Sequence, residues 1–98
     1  MVPMPDPAPR KAGIPWYERE DYPQILALVE DPHVLAPAYD QWLAAARNNE
    51  QEAERAGVTV VRVAVKPDVF ARWCAEHGLR LDSRARMRFV NEAMERGA

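Results

Sequence analysis

The sequence predicts an α+β domain that is mostly helical, with four helices and one main β-strand in the order α-α-β-α-α. Residues 58–65 read Val-Thr-Val-Val-Arg-Val-Ala-Val, and this β-branched run is the one strong strand signal in 98 residues. The segments on both sides of it instead repeat apolar residues at helical spacing. The chain therefore reads as helices arranged around a single strand.

Each predicted helix is bounded by residues that favour helix ends. Pro67 suits the first turn of the third helix, because the first N–H groups of a helix have no intrahelical partner. Gly78 ends that helix, and Asp82 is the predicted N-cap of the last one. We place the helices at residues 21–30, 39–56, 67–77 and 83–96.

The predicted strand has two unlike faces and needs a partner strand. Its odd-numbered valines are expected to cover a core formed by Phe70, Trp73 and Phe89, whereas its even-numbered side chains form a mixed face. A lone strand cannot satisfy its own backbone N–H and C=O groups. Either the same strand of a second copy or a short segment such as residues 79–81 would satisfy them, and we favour a homodimer. The expected strand-mediated interface comprises Val60, Val61, Arg62, Val63, Ala64 and Val65.

The chain is predicted to be one domain with a tail. Residues 1–13 carry four prolines and are expected to form a disordered, proline-rich tail, followed by a single α-rich domain over residues 14–98. No apolar run approaches the roughly 20 residues that span a bilayer, and the first residues lack the apolar segment of a signal peptide. We therefore expect a cytoplasmic protein with no membrane partner.

The side chains suited to catalysis or metal binding are few. Cys74 and His77 lie three residues apart on one helix face, where an imidazole can activate a thiol. Both also belong to the apolar stripe of that helix, and no motif supplies an oxyanion hole or an orienting group. His33 adds only one more ligand for a metal, and a single cysteine excludes an internal disulfide. We predict no catalytic, cofactor-binding or metal-binding residues, and a protein that is not an enzyme.

The net charge of −2 is distributed unequally along the chain. Residues 1–57 sum to −5 and residues 58–98 to +3. A solvated mixed surface accounts for this distribution, and an anionic partner for the basic part is the alternative. The densest basic set is Arg80, Arg84, Arg86 and Arg88. The possible nucleic-acid contacts are Arg62, Lys66, Arg84, Arg86 and Arg88.

Residues 58–96 show the order strand, Pro67-Asp68 helix start, Gly78 break and capped last helix, which resembles the ribbon-helix-helix proteins. In that family two chains pair their strands antiparallel, and the outward strand side chains read bases in the major groove. The resemblance implies a homodimer and makes a DNA-binding transcriptional regulator our alternative function. Only Arg62 among the outward positions is suited to hydrogen bonding with bases, so DNA is not the favoured partner.

Four apolar and aromatic segments stand out from Ile14 onward: Ile14-Pro15-Trp16-Tyr17, Asp21-Tyr22, Tyr39-Asp40-x-Trp42-Leu43 and Pro67-Asp68-x-Phe70-x-x-Trp73-Cys74. With these segments the chain resembles a family of small uncharacterised bacterial proteins, a resemblance that implies no activity. Our leading interpretation is a small non-catalytic protein that acts through protein–protein contacts, with itself or with another protein.

Overall fold

Residues 10–97, the part of the chain that the computed structural model describes, contain two parallel β-strands, four α-helices and two three-residue 3-10 helices, Arg19–Asp21 and Pro32–Val34. The α+β class, the four helices and the predominance of helix are confirmed. None of the helices in this part is long and apolar enough to cross a membrane. In chain order the elements are β1 (Arg10–Trp16), α1 (Tyr22–Leu28), α2 (Tyr39–Arg55), β2 (Val58–Ala64), α3 (Pro67–His77) and α4 (Ser83–Glu95).

The helix ends follow the predicted capping residues. Pro67 is the first residue of α3, and Gly78 follows its end with a φ of 63°, in the left-handed region that glycine adopts without strain. At the start of α4 the Asp82 carboxylate accepts a hydrogen bond of 3.0 Å from the Ala85 N–H. These caps explain why α3 and α4 are joined by a short turn.

The partner of β2 is β1, a strand that the sequence did not predict. The two strands pair in parallel from Arg10↔Val58 to Trp16↔Ala64, which makes the element order β-α-α-β-α-α rather than α-α-β-α-α. A parallel pair needs a long crossover, and α1 with α2 supplies it. Residues 10–13, which we had assigned to the tail, form the first half of β1. The rest of the predicted tail, residues 1–9, lies outside the described residues.

The prediction that residues 79–81 pair with the strand is wrong. This segment is the turn between α3 and α4, where the backbone carbonyl of Leu81 accepts a hydrogen bond of 2.8 Å from the Glu30 N–H. The same glutamate returns the bond, since its carboxylate accepts from the Leu81 N–H at 3.2 Å. The segment therefore ties the end of the α1 region to the α3–α4 turn.

Helices pack against both faces of the two-stranded sheet. Its odd-numbered side chains face α4, where a Cβ atom built on Gly13 would lie only 2.6 Å from a methyl group of Val90. Its even-numbered side chains face α2, because Arg62 reaches Glu50 of that helix. Next to α4 packs α3, and α1 packs against α3. The sheet thus lies between α2 and α4, and several of its side chains remain exposed.

The core has two aromatic groups. The predicted one is confirmed: Phe70, Trp73 and Phe89 are buried, with the Phe89 ring edge-to-face against both others at 5.5 and 5.4 Å. The second group surrounds Trp42 of α2, whose ring centroid lies 5.1 Å from that of Trp16. It consists of Trp16, Tyr17, Tyr22, Tyr39 and Trp42.

Two buried tyrosines of this second group differ in whether their hydroxyl has a hydrogen-bond partner. Removing the two hydroxyls is therefore expected to change the stability of the fold in opposite directions. The Tyr17 hydroxyl is fully buried and has no hydrogen-bond partner among the described residues, and burial raises its pKa to about 12. The Tyr22 hydroxyl donates a 2.5 Å hydrogen bond to the Ala36 carbonyl. We expect Tyr17→Phe to raise the free energy of unfolding by about 1 kcal/mol, and Tyr22→Phe to lower it by about 1 kcal/mol.

Denaturant unfolding of the two variants beside the parent protein measures both changes. Each substitution removes one oxygen from a buried ring, so each serves as the control for the other. A loss of stability in Tyr17→Phe equal to that in Tyr22→Phe would show that the Tyr17 hydroxyl has a partner.

Candidate functional site

The hydrogen bonds of the sheet determine which backbone groups face outward. The Val65 N–H donates to the Trp16 carbonyl at 3.0 Å, in the register that pairs Trp16 with Ala64. In a parallel pair, one residue of each such pair bonds to the residues on either side of its partner, whose own groups point away. Even-numbered residues of β1 therefore point their N–H and C=O groups at β2. Odd-numbered residues of β2 point theirs at β1.

The outer edge of β1 is a poor place for a further strand. Its outward residues are Lys11, Gly13 and Pro15, and proline has no N–H to donate. Natural edge strands are often protected from pairing by proline and lysine in this way.

The outer edge of β2, by contrast, has an N–H and a C=O group at every outward residue. Its outward groups belong to four residues that all keep their N–H, and no backbone hydrogen bond reaches these groups from anywhere in residues 10–97. We refer to this row of backbone groups as the β2 edge, and it consists of Val58, Val60, Arg62 and Ala64. Several side chains along the strand, Thr59 and Ala64 among them, are exposed. The β2 edge is thus an open row of backbone donors and acceptors.

The one charged side chain on the β2 edge is held away from it. Arg62 forms two hydrogen bonds to the Glu50 carboxylate, at 2.7 Å from Nε and 2.8 Å from Nη2. Its guanidinium also lies 3.8 Å from the centre of a Trp16 ring, a cation–π distance. The ion pair raises the pKa of Arg62 and lowers that of Glu50. The charge therefore lies over the sheet face beside α2 and leaves the strand's own edge unobstructed.

The basic residues that the sequence singled out fall into separate places. Arg62 is engaged with Glu50, and the Lys66 ammonium contacts Asp21 at 2.8 Å. Arg86 lies inside the fold, 4% exposed, where its guanidinium holds Asp31 at 2.9 Å. Arg84 and Arg88 line a groove at the start of α4. A nucleic-acid contact by any of these residues stays a prediction.

The thiol and imidazole on α3 have unlike environments. Cys74 is fully buried in the core, and burial raises the pKa of its thiol, which disfavours the thiolate. The His77 ring is on the exposed side, stacked on Trp73 at 4.3 Å, with Nδ1 2.8 Å from the Trp73 carbonyl oxygen. In the part of the chain with described coordinates, no three His, Cys, Asp or Glu side chains are arranged to hold a metal ion.

The fold and its open edge define a class of protein: a small α+β domain in which a two-stranded parallel sheet lies between helices and keeps one strand edge free. Comparison of the chain with protein-family models, curated proteins and solved structures found no match. The geometry of this molecule is therefore what supports a function.

Proposed function

We propose that the protein is non-catalytic and acts through protein–protein contact, and that a second copy of the chain pairs with it along the β2 edge. The observation that supports this most is the contrast between the two edges of one sheet. β1 is protected by Pro15, whereas none of the donors and acceptors of the β2 edge is bonded to another backbone group of residues 10–97. An exposed, unprotected edge strand is a ready template for pairing with another strand.

An identical strand fits this edge in one antiparallel register better than in its neighbours. A two-fold axis at Val61 sets Val60 opposite Arg62 of the second copy, and Val58 opposite Ala64. All four outward residues of each chain then lie in hydrogen-bonded pairs, for a total of about eight backbone hydrogen bonds. The result is a four-stranded sheet with the two protected β1 strands at its outer edges.

Charge favours the same register. With the axis at Val61, each arginine faces a valine of the second copy. Moving the axis by one residue, to Arg62, would set the two arginines directly opposite each other, and like charges at that position are destabilising. The register at Val61 therefore combines the largest number of hydrogen bonds with the absence of charge repulsion across the strands.

Proline at position 60 tests this pairing without breaking the monomer. The Val60 N–H points outward, so Val60→Pro removes a donor of the proposed interface and leaves the β1–β2 ladder intact. Analytical ultracentrifugation of the parent protein is expected to show a species of about twice the 11.1 kDa of one chain. The Val60→Pro variant is expected to sediment as a folded monomer, with its circular dichroism spectrum unchanged.

The matched control is Lys11→Pro, which removes an outward N–H from the protected edge of the same sheet. We expect that variant to stay dimeric. A parent protein that is monomeric at millimolar concentration, or a Lys11→Pro variant that dissociates as readily as Val60→Pro, would overturn the proposal.

A further inference from the structure

A groove at the turn between α3 and α4 collects three arginines. Arg84 and Arg88 lie four residues apart and so project from one face of α4, while Arg80 comes from the turn itself. Leu79, which is half-buried, contributes apolar surface. The groove has a volume of about 530 Å³, which is within the range of small-molecule sites.

The arginines of this groove are weakly neutralised. The closest carboxylates lie 3.9 Å from Arg80 and 3.5 Å from Arg88, in contrast to 2.6–2.9 Å at the other ion pairs of the molecule. Arg84 has no ion pair among residues 10–97. The one carboxylate in the lining, that of Asp82, already accepts the capping hydrogen bond from Ala85.

These charges set the chemistry of a fitting ligand. The carboxylates of Glu30 and Glu92 lie just outside the lining against Arg80 and Arg88, so Arg84 is the guanidinium whose charge is open to the charge of about −1.5 to −2 on a phosphate monoester. Guanidinium groups bind phosphate oxygens through paired hydrogen bonds. The groove is far larger than one phosphate group, and its apolar surface from Leu79 suits an attached organic group.

We propose that the groove of Arg80, Arg84 and Arg88 binds the phosphate group of a small phosphorylated molecule. The proposal is independent of the β2 edge, which lies on other elements of the fold. A ligand site on the α3–α4 turn adds a second binding activity to a protein whose first contact is with its own copy.

Amide chemical shifts measured by NMR at constant ionic strength test this site. The probes are inorganic phosphate and adenosine monophosphate, with adenosine as the uncharged control. We expect both phosphate-bearing probes to shift the amide signals of Leu79, Arg84 and Ala85, and adenosine not to. Arg84→Gln removes an exposed charge that has no ion pair in the described structure. It should weaken the binding of both phosphate-bearing probes about tenfold.

Arg72→Gln is the matched control, because Arg72 is exposed on α3, lies outside the groove and has no ion pair among the described residues. Arg72→Gln should leave the affinities for both phosphate-bearing probes within about twofold of those of the parent protein. Neither variant should change the oligomeric state. Three results would overturn the proposal: no binding of either phosphate-bearing probe at millimolar concentration, an equal loss in Arg72→Gln, or shifts at these amides with duplex DNA alone. The last result would show that the groove binds the phosphates of a nucleic-acid backbone.

Discussion

Asp31→Ala is expected to lower the free energy of unfolding by about 3–5 kcal/mol, because it leaves the buried guanidinium of Arg86 without its counter-ion. The Arg86 side chain is 5% exposed and binds both carboxylate oxygens of Asp31, at 2.9 and 3.3 Å. Ser83 adds two hydrogen bonds to the same carboxylate, one from its N–H and one from its hydroxyl. Asp31 thus fastens the loop after α1 to the first turn of α4.

The same contacts make this contribution depend on pH. Burial alone would raise the pKa of Asp31, but the hydrogen bonds from Arg86 and Ser83 outweigh it and lower the pKa from 3.8 to about 2. A carboxylate whose pKa is lower in the folded state stabilises the fold above its unfolded pKa. This contribution is lost as the pH falls through the folded value. The stability difference between parent and Asp31→Ala should therefore be full at pH 7 and shrink from about pH 4 toward pH 2.

Asp40→Ala is the matched control for the acid series. Its carboxylate pairs with Arg19 at 2.6 Å, a shorter distance, but both side chains are mostly exposed, so we expect a loss below about 1 kcal/mol. Guanidinium chloride unfolding at several pH values measures all three proteins. If Asp31→Ala loses no more stability than Asp40→Ala, the buried pair does not hold the loop to α4.

Gly13→Val is expected to destabilise the fold by about 3 kcal/mol, because β1 passes α4 with no room for a side chain. A Cβ atom at Gly13 would lie 2.6 Å from Val90 Cγ1 and 2.8 Å from Met94 Cγ. The Met94 side chain can move, but Val90 is fully buried and has a stiff β-branched side chain. Strand and helix must therefore separate to admit the larger residue.

The sign of the effect tests the position of β1. In an open strand, replacing glycine by a larger residue is normally favourable, because glycine loses more backbone entropy on folding. Urea unfolding of Gly13→Val should show the loss, and adding Val90→Ala should recover part of the loss due to Gly13→Val. A Gly13→Val variant as stable as the parent would contradict the contact between β1 and α4.

The sequence alone predicted the parts of the fold that depend on local signals. The valine run of β2, the proline at the start of α3 and the Asp82 cap each act within a few residues, and each is where it was expected. β1 lacks such a signal, because Ile14 is its only β-branched residue. Proline is also unfavourable inside a strand. Pro15 is tolerated because it lies at a position whose missing N–H would point to the outer edge, and only the register of the sheet shows this.

The basic residues show why long-range contacts were not predicted. Arg86 belongs to a run of exposed-looking arginines, but Asp31, 55 residues away in sequence, reaches it and makes it an interior residue. Arg62 was likewise predicted to be an outward side chain of a strand, but in the structure it bonds to Glu50 of α2. Neither pairing leaves a pattern in the local sequence. A strand-mediated interface over residues 60–65 was predicted, but not which of these residues direct their backbone groups outward, because that depends on which strand occupies the other side.

Amide hydrogen exchange across β2 tests the central claim, the pairing of the β2 edge with a second copy, most directly. Val61 and Val63 direct their N–H groups at β1 and should exchange slowly at every protein concentration. Arg62 and Ala64 direct theirs outward, so their exchange should slow as the concentration rises, and should stay fast in Val60→Pro. Fast exchange at Arg62 and Ala64 that does not change with concentration would contradict the pairing.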